Sequence, residues 1–270
     1  MSFFEKTPKE SSFWVHVEAF RWLIIRSFAI TIVIFIVVFL FKDFVFGQII
    51  LAPARNNFVK YSFLCKLGIV LSMPELCPEI QELKIININL ASQLFVHLSM
   101  SFYIGLIIAI PYLMAELWMF AAPALYKNER TPAIKSIFAF VVLFFIGVLL
   151  AYYVIFPLTV NFLGTYQIDK SVENQISLNS YIDTFLTLIL MMGLVFELPI
   201  VAYFFAKIGV LKNSFLKRYR KFAFVIVLIA AAFITPSTDI FTMMLVAVPL
   251  YLLFEFSRLV VKKVEQKQSI

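Results

Sequence analysis

The segment from Phe185 to Ala206 constrains the fold of this chain most, because it is long, apolar and interrupted by one charge, Glu197. At about 1.5 Å of rise per residue, a helix of this length crosses most or all of the ~30 Å hydrocarbon core of a bilayer. A carboxylate near mid-membrane costs about 3 kcal/mol even on a lenient insertion scale, so it is usually kept for a partner, water or a substrate. The segment predicts a membrane protein whose function involves a polar group inside or beside the bilayer.

Composition supports the membrane prediction independently. The chain is 62% hydrophobic and 14% charged over 270 residues. A soluble domain of this size cannot hide so much apolar surface, because its outside still needs polar cover. The length suits one compact membrane domain covering residues 1–270, rather than two domains joined by a linker.

Hydropathy predicts an all-α, polytopic membrane protein with six spans. The predicted spans are Leu23–Phe41, Leu94–Phe120, Ile134–Leu158, Ile182–Ala206, Phe222–Ile234 and Ile240–Phe256. The last two are short, at 13 and 17 residues. The fifth would reach only about 20 Å as a helix, so either the bilayer thins there or neighbouring protein covers its ends. A re-entrant hairpin is the structural alternative.

The distribution of Lys and Arg predicts the orientation. Seventeen of these residues fall at the two termini and in the 2–3 and 4–5 connections, and six fall on the other side. The positive-inside rule therefore places both termini in the cytoplasm. The net charge of +7 follows from this topology, and no nucleic-acid partner is needed to explain it. No cleavable signal precedes the first span, so we expect that span to remain as an anchor.

Both cysteines, Cys65 and Cys77, lie in the connection between the first two spans. In a bacterial inner-membrane protein of this orientation, that connection faces an oxidising compartment. The sequence is compatible with a disulfide and with a pair of free thiols, since it does not give the Cα separation that a bridge requires.

Catalytic motifs are absent from the sequence. Its two histidines, His16 and His97, are far apart and are predicted on opposite sides of the membrane. There is no HExxH, Cys-x-x-Cys, GxSxG or Walker A pattern. We therefore expect a non-enzymatic protein without a metal, nucleotide or other cofactor.

Several sequence blocks resemble one membrane-protein family. They are SSFWVHVEAFRWLIIR at the N-terminus, FAAPALYKNER after the second span, VFELP in the fourth, TPSTD between the fifth and sixth, and PLYLLFE in the sixth. In this order, with two short final spans, they resemble TatC, the multi-spanning C subunit of the twin-arginine protein translocase. The resemblance covers essentially the whole chain.

The resemblance implies a function and a set of partners. It implies a receptor in the bacterial inner membrane that binds twin-arginine signal peptides on its cytoplasmic face. TatA and, where present, TatB would join it in an oligomeric complex that exports folded proteins with the proton-motive force. The family's spans form a curved bundle with a concave face.

For the signal-peptide site, the resemblance points to residues in two parts of the chain, the connection between the second and third spans and the stretch before the first span. Glu129 matches an acidic family position that faces the signal-peptide arginines; read without the family, it is a solvated Glu that balances Lys127 and Arg130. The family's N-terminal motif, His-Leu-x-Glu-Leu-Arg, ends here at Arg21, but Ala19 occupies its Glu position. Glu18, one residue earlier and about 100° around the helix, is the candidate replacement.

Four further residues match family positions, and three of them also have an ordinary structural interpretation. Phe120 matches an aromatic near the site or is an interfacial Phe, and Glu116 falls where the family has a polar residue at the membrane edge. Glu197 matches the acidic residue of the fourth span or is bonded to a neighbouring helix. Asp239 matches an acidic position between the last two spans and is also well placed as a helix N-cap.

Two rival functions remain open from the sequence. A small-solute or proton-coupled secondary transporter would use Glu197 as its ion site, but the inverted repeats typical of such proteins are not visible. A structural membrane scaffold would explain the short final spans, but it leaves the carboxylate of the fourth span without a reason.

Overall fold

The computed structural model describes residues 10–54, 84–121, 127–169, 171, 174–235 and 239–268. These residues are mainly helical. The α-helices are α1 (Glu10–Leu40), α2 (Lys42–Phe44), α3 (Ser92–Ala121), α4 (Lys127–Leu150), α5 (Phe156–Thr165), α6 (Leu178–Val195), α7 (Leu198–Lys207), α8 (Asn213–Arg218), α9 (Arg220–Ile234) and α10 (Ile240–Gln268). Two short parallel strands, β1 (Ile85–Ile86) and β2 (Ile176–Ser177), pair with each other.

Five helical stretches are long and apolar enough to cross a membrane, which confirms the predicted all-α, polytopic class. They are His16–Leu40, Ser92–Leu117, Ser136–Thr165, Leu178–Lys207 and Ile240–Lys267. The predicted fifth span corresponds to α9, a helix of 15 residues that reaches about 22 Å. The last helix has 29 residues, because it continues through the charged tail beyond the 17-residue apolar segment.

Contacts divide the chain into two compact units. The first unit contains residues 1–40 and 101–141, and the second contains 41–100 and 142–270. The first unit therefore holds α1 with most of α3 and the start of α4. The second holds the fourth span, α9 and α10, and in it α7 and α9 both pack against α10.

Within the second unit, two glycines allow the third and fourth spans to pack closely. A Cβ added at Gly147 would lie 2.6 Å from the carbonyl oxygen of Met192, and one added at Gly193 would lie 2.6 Å from Cε2 of Phe144. Phe144 and Met192 are both fully buried. Only a residue without a side chain fits at either point, so this contact fixes the helix that carries Glu197.

Two π-helical segments, Val45–Ile50 and Ala151–Ile155, lie in the same unit. Two tyrosine hydroxyls donate to carbonyls at the end of the first segment, Tyr152 to Ile49 and Tyr181 to Ile50, each at 2.7 Å. A π-helical turn disturbs the regular backbone pattern, and buried carbonyls need partners. These two bonds supply them and tie the chain after α1 to the third and fourth spans.

The fourth span breaks in the middle. Helix α6 ends at Val195, and α7 starts at Leu198 with Pro199 in its first turn. Proline has no amide hydrogen, and its ring clashes with a preceding carbonyl, so it interrupts the helical ladder just before itself. The break places Glu197 at the junction, where its carbonyl accepts from the amides of Ile200 and Val201.

Candidate signal-peptide site and intramembrane carboxylate

An aromatic group forms in the first unit between α1 and α3. The ring centroid of Phe120 lies 4.4 Å from that of His16 and 5.6 Å from that of Phe20. His16 and Phe20 are four residues apart, so both face the same side of α1. The structure therefore brings Phe120 together with the N-terminal motif, as the resemblance implies.

Glu18 forms an exposed polar group on α1. Its Oε1 atom lies 3.1 Å from Nη2 of Arg21 and accepts a hydrogen bond from Nε1 of Trp22 at 3.0 Å. The side chains of Arg21 and Glu18 are 61% and 52% exposed. Water screens such a pair, so it contributes little to stability and leaves Glu18 accessible to another cation. Ala19 is exposed beside it.

Glu116 is a buried carboxylate of this unit. It is 5% exposed, and its Oε1 atom accepts a hydrogen bond from the Tyr112 hydroxyl at 2.6 Å, one turn earlier on α3. The same oxygen lies 3.9 Å from Nη1 of Arg26 on α1. Glu116 stands one helical turn before Phe120, so the carboxylate and the aromatic group occupy neighbouring turns of α3.

Trp22 has two guanidinium groups near its ring. Its ring centroid is 5.9 Å from Cζ of Arg21 and 6.0 Å from Cζ of Arg26, within the range of cation–π attraction. Trp22, Arg26 and Tyr112 were not predicted as site residues. The spacing of Tyr112 and Glu116, four residues apart on a predicted helix, was the one signal that pointed to such a partner.

Glu129 lies in the first turn of α4, which starts at Lys127. Its backbone is helical, but the placement of its side chain lies outside what the structure describes. An acidic residue in the first turn of a helix is favoured by the helix dipole. Its predicted contact with signal-peptide arginines stays a prediction.

Glu197 is buried in the second unit without a hydrogen-bond partner. It is 5% exposed, and the backbone amide of Phe144 lies near it. Even so, neither carboxylate oxygen reaches hydrogen-bond geometry with the part of the chain that the structure describes. The ordinary interpretation, a Glu bonded to a neighbouring helix, therefore has only this nearby amide of Phe144 to support it among the described residues, and it stays a prediction. A buried carboxylate in this state is costly and is suited to accept a donor from elsewhere.

Asp239 caps the last helix. Its Oδ1 atom accepts from the amide of Thr242 at 2.8 Å, and its Oδ2 atom accepts from the Thr242 hydroxyl. The residue stands immediately before α10, which starts at Ile240. The predicted N-cap is confirmed, and a further role for Asp239 stays a prediction.

Two other predictions concern the cysteines and a metal site. Cys65 and Cys77 both fall outside the described residues, so their pairing stays a prediction. Among the residues that the structure does describe, no group of three or more His, Cys, Asp or Glu side chains is arranged to hold a metal ion.

Comparison with known proteins assigns the family. The family model for TatC, the Sec-independent protein translocase protein, matches residues 15–249. A relative named Sec-independent protein translocase protein TatC, from Blattabacterium, is 35% identical over 250 residues, which is 92% of this chain and 94% of the relative. One from Helicobacter pylori strain 26695 is 38% identical over 180 residues, covering 67% of this chain and 70% of its own length.

Solved structures agree with the sequence relatives. Two crystal structures titled as the twin-arginine translocase receptor TatC superpose with TM-scores of 0.67 and 0.69, at 29% and 31% identity. They cover 92% and 90% of this chain, and 99% and 98% of their own. Together with its five apolar helices, these matches show that the chain belongs to the TatC family, non-enzymatic, multi-pass inner-membrane subunits of the Sec-independent protein translocase.

Proposed function

We propose that this protein is the receptor and organising subunit for twin-arginine export, which binds the signal peptides of folded cargo on its cytoplasmic face. The observation that carries the proposal is the grouping in the first unit. There the carboxylates of Glu18 and Glu116 lie on the two helices that also form the aromatic group of His16, Phe20 and Phe120. The titles of the two similar crystal structures name a twin-arginine translocase receptor.

The chemistry of the ligand fits this grouping. A guanidinium binds a carboxylate through two parallel hydrogen bonds, a geometry that lysine does not reproduce. Exposed Glu18 and the acidic residue Glu129 in the first turn of α4 offer such acceptors. The aromatic group offers apolar surface and π-faces beside them, which also attract arginine.

The distribution of Lys and Arg supports the orientation that this function needs. Seventeen Lys and Arg residues lie on the side of the termini and six on the other, so the positive-inside rule puts the starts of α1 and α4 toward the cytoplasm. Signal peptides reach the protein from that side. As the resemblance to the family implies, we assign the energy source to the proton-motive force, and a sequence without a nucleotide-binding motif is compatible with it.

The partner contact is assigned to the second unit. The carboxylate of Glu197 is buried and lacks a hydrogen-bond partner among the described residues. We assign it to a polar side chain of a single-span partner, TatA or TatB, within an oligomeric complex. The secondary-transporter hypothesis, which used the same residue, is set aside because the chain belongs to a protein-translocase family.

A site-specific crosslink tests the receptor role. A photoreactive amino acid at position 128, next to Glu129, should crosslink to a twin-arginine signal peptide in membranes and should give a much weaker product with the twin-lysine peptide. The matched control is the same amino acid at Ile168, which is exposed in the connection between α5 and α6. Equal crosslinking of the two peptides at position 128 would contradict the assigned recognition.

A labelling experiment tests the orientation. Single cysteines placed between residues 207 and 221, in a variant without Cys65 and Cys77, should be shielded from an impermeant thiol reagent added outside intact cells. They should react after the membrane is permeabilised. Labelling in intact cells would show that the orientation is the reverse of the one assigned, and it would rule out a cytoplasmic signal-peptide site.

A further inference from the structure

We propose that Glu116 is a guanidinium acceptor of the signal-peptide site, and that the chain's own Arg26 occupies it until a peptide arginine takes its place. The inference rests on the proposed function and adds a resident cation to that site. It concerns residues of α1 and of the part of α3 that belongs to the first unit.

In the pair formed by Glu116 and Arg26, only the carboxylate is held firmly. Glu116 is 5% exposed and is fixed by the short bond from Tyr112. The side chain of Arg26 is 57% exposed, and its Nη1 atom stands 3.9 Å from the Glu116 oxygen. A charge-assisted N–H···O bond is usually about 2.7–2.9 Å long. The carboxylate is thus preorganised, whereas the guanidinium contacts it loosely and can move into water.

The alternative position for Arg26 is already present beside it. The Arg26 guanidinium lies 6.0 Å from the centroid of Trp22, whose indole also donates to Glu18. When Arg26 leaves Glu116, it keeps this aromatic neighbour, and its side chain is already 57% exposed to water. Its displacement therefore does not strand a cation in an apolar environment.

Glu116 is also placed where a bound peptide would reach it. Phe120 lies four residues further along α3 and contacts both His16 and Phe20, and one helical turn rises about 5.4 Å. A peptide arginine next to a residue that packs on these rings can span that distance. Exchange of one guanidinium for another keeps the buried carboxylate neutralised throughout, which avoids the penalty of an unpaired buried charge.

A purely structural role for Arg26 makes the opposite prediction. If Arg26 only neutralises Glu116, removal of either side chain disturbs the same helix pair, and both variants bind peptide more weakly. If Arg26 competes with the peptide, the two removals act in opposite directions. The sign of the Arg26 effect therefore separates the two roles.

The experiment measures the dissociation constant of a fluorescent synthetic signal peptide for the purified full-length protein in nanodiscs. We expect Glu116→Gln to weaken twin-arginine binding about tenfold, the equivalent of ~1.4 kcal/mol, and to reduce discrimination against the twin-lysine peptide. We expect Arg26→Gln to tighten twin-arginine binding about threefold to tenfold, because the competing cation is gone. The double variant should bind like Glu116→Gln.

Matched controls come from the second unit. There Glu255 pairs with Arg220 and with Arg258, so Glu255→Gln and Arg258→Gln remove the same charges from an ion pair outside the site. Both controls should bind the peptide like the unmodified protein.

Each outcome decides the inference. Unchanged binding by Glu116→Gln, or unchanged or weaker binding by Arg26→Gln, would overturn it while leaving the receptor function intact. If Glu116→Gln does not fold, the direction of the Arg26→Gln effect still decides. No preference of the unmodified protein for the twin-arginine over the twin-lysine peptide would overturn the proposed function, and this inference with it.

Discussion

Glu116 and Glu197 are buried to the same degree, 5% exposed each, yet their surroundings differ. Glu116, in the first unit, has a hydroxyl donor and a nearby guanidinium. Glu197, in the second, has no hydrogen-bond partner among the described residues. Equal burial therefore does not mean equal cost, because the penalty of a buried polar group depends on whether its hydrogen bonds are made.

The difference suggests two ways of using a carboxylate at a membrane. A carboxylate with a cation at a long contact distance, such as Glu116 with Arg26, is suited to exchange that cation for a ligand. A carboxylate without a donor gains most when another chain supplies one. In the proposed function, the first unit recognises the signal peptide and the second receives the partner.

The largest effect is expected in the receptor region. Glu129→Lys places like charges together at the proposed arginine site and should abolish export of a folded reporter that carries a twin-arginine signal. Glu129→Gln keeps the shape and some hydrogen bonding, so it should be milder, and Glu18→Gln should reduce export less than Glu129→Lys. Export is measured as the exported fraction of the reporter.

The control for this series is the amount of each variant in the membrane, determined by immunoblot. Normal export by Glu129→Lys at a normal membrane level would rule out the assigned site. It would also leave Glu18 and Glu116 as the remaining candidate carboxylates of the signal-peptide site.

Packing around the second carboxylate should be nearly as sensitive. Gly147→Ala puts a Cβ 2.6 Å from the Met192 carbonyl oxygen, whereas Gly47→Ala meets no atom within 4 Å. Both changes add one methyl group, but overpacking at Gly147 should lower the free energy of unfolding by about 1–3 kcal/mol. Thermal unfolding in one detergent compares them, and equal midpoints would show that the third and fourth spans are not packed this closely.

A pair of leucine substitutions tests the comparison itself. Glu116→Leu leaves the Tyr112 hydroxyl without its acceptor and Arg26 without its nearby carboxylate, so it should lower the stability of the protein. Glu197→Leu removes an unsatisfied carboxylate and should keep or raise stability, while export falls because the partner contact is lost.

The midpoint of thermal unfolding of the two purified variants, measured side by side, gives the sign of each effect. A loss of stability in Glu197→Leu as large as that in Glu116→Leu would mean that Glu197 is satisfied in the folded protein, and the contrast between the two regions would disappear.

The smallest effect is expected from the cysteines. We predict a Cys65–Cys77 disulfide in protein extracted without reductant, and replacement of both by Ser should leave export unchanged. Alkylation and mass measurement before reduction decide the first part. Complete alkylation of both thiols would rule out the bridge without affecting either carboxylate region.

Several features were predictable from sequence because they depend on local composition. Apolar segments of membrane-spanning length identify a polytopic helical protein, and the order of the motif blocks identified the family. The position of Asp239 just before an apolar helical segment predicted its N-cap, which needs only residues within one turn. The length of the last helix was not predictable from hydropathy, because a helix can continue in polar sequence beyond its apolar part.

What the sequence determined by itself is therefore the class of fold, the family and the identity of the acidic residues. Only the tertiary structure decided which carboxylate has a partner. The contact of Arg26 with Glu116 joins residues 90 positions apart, and the burial of Glu197 depends on glycine packing between the third and fourth spans. Such contacts are set by how helices pack rather than by neighbours in the chain, and the energy of a buried charge depends on its neighbours in space.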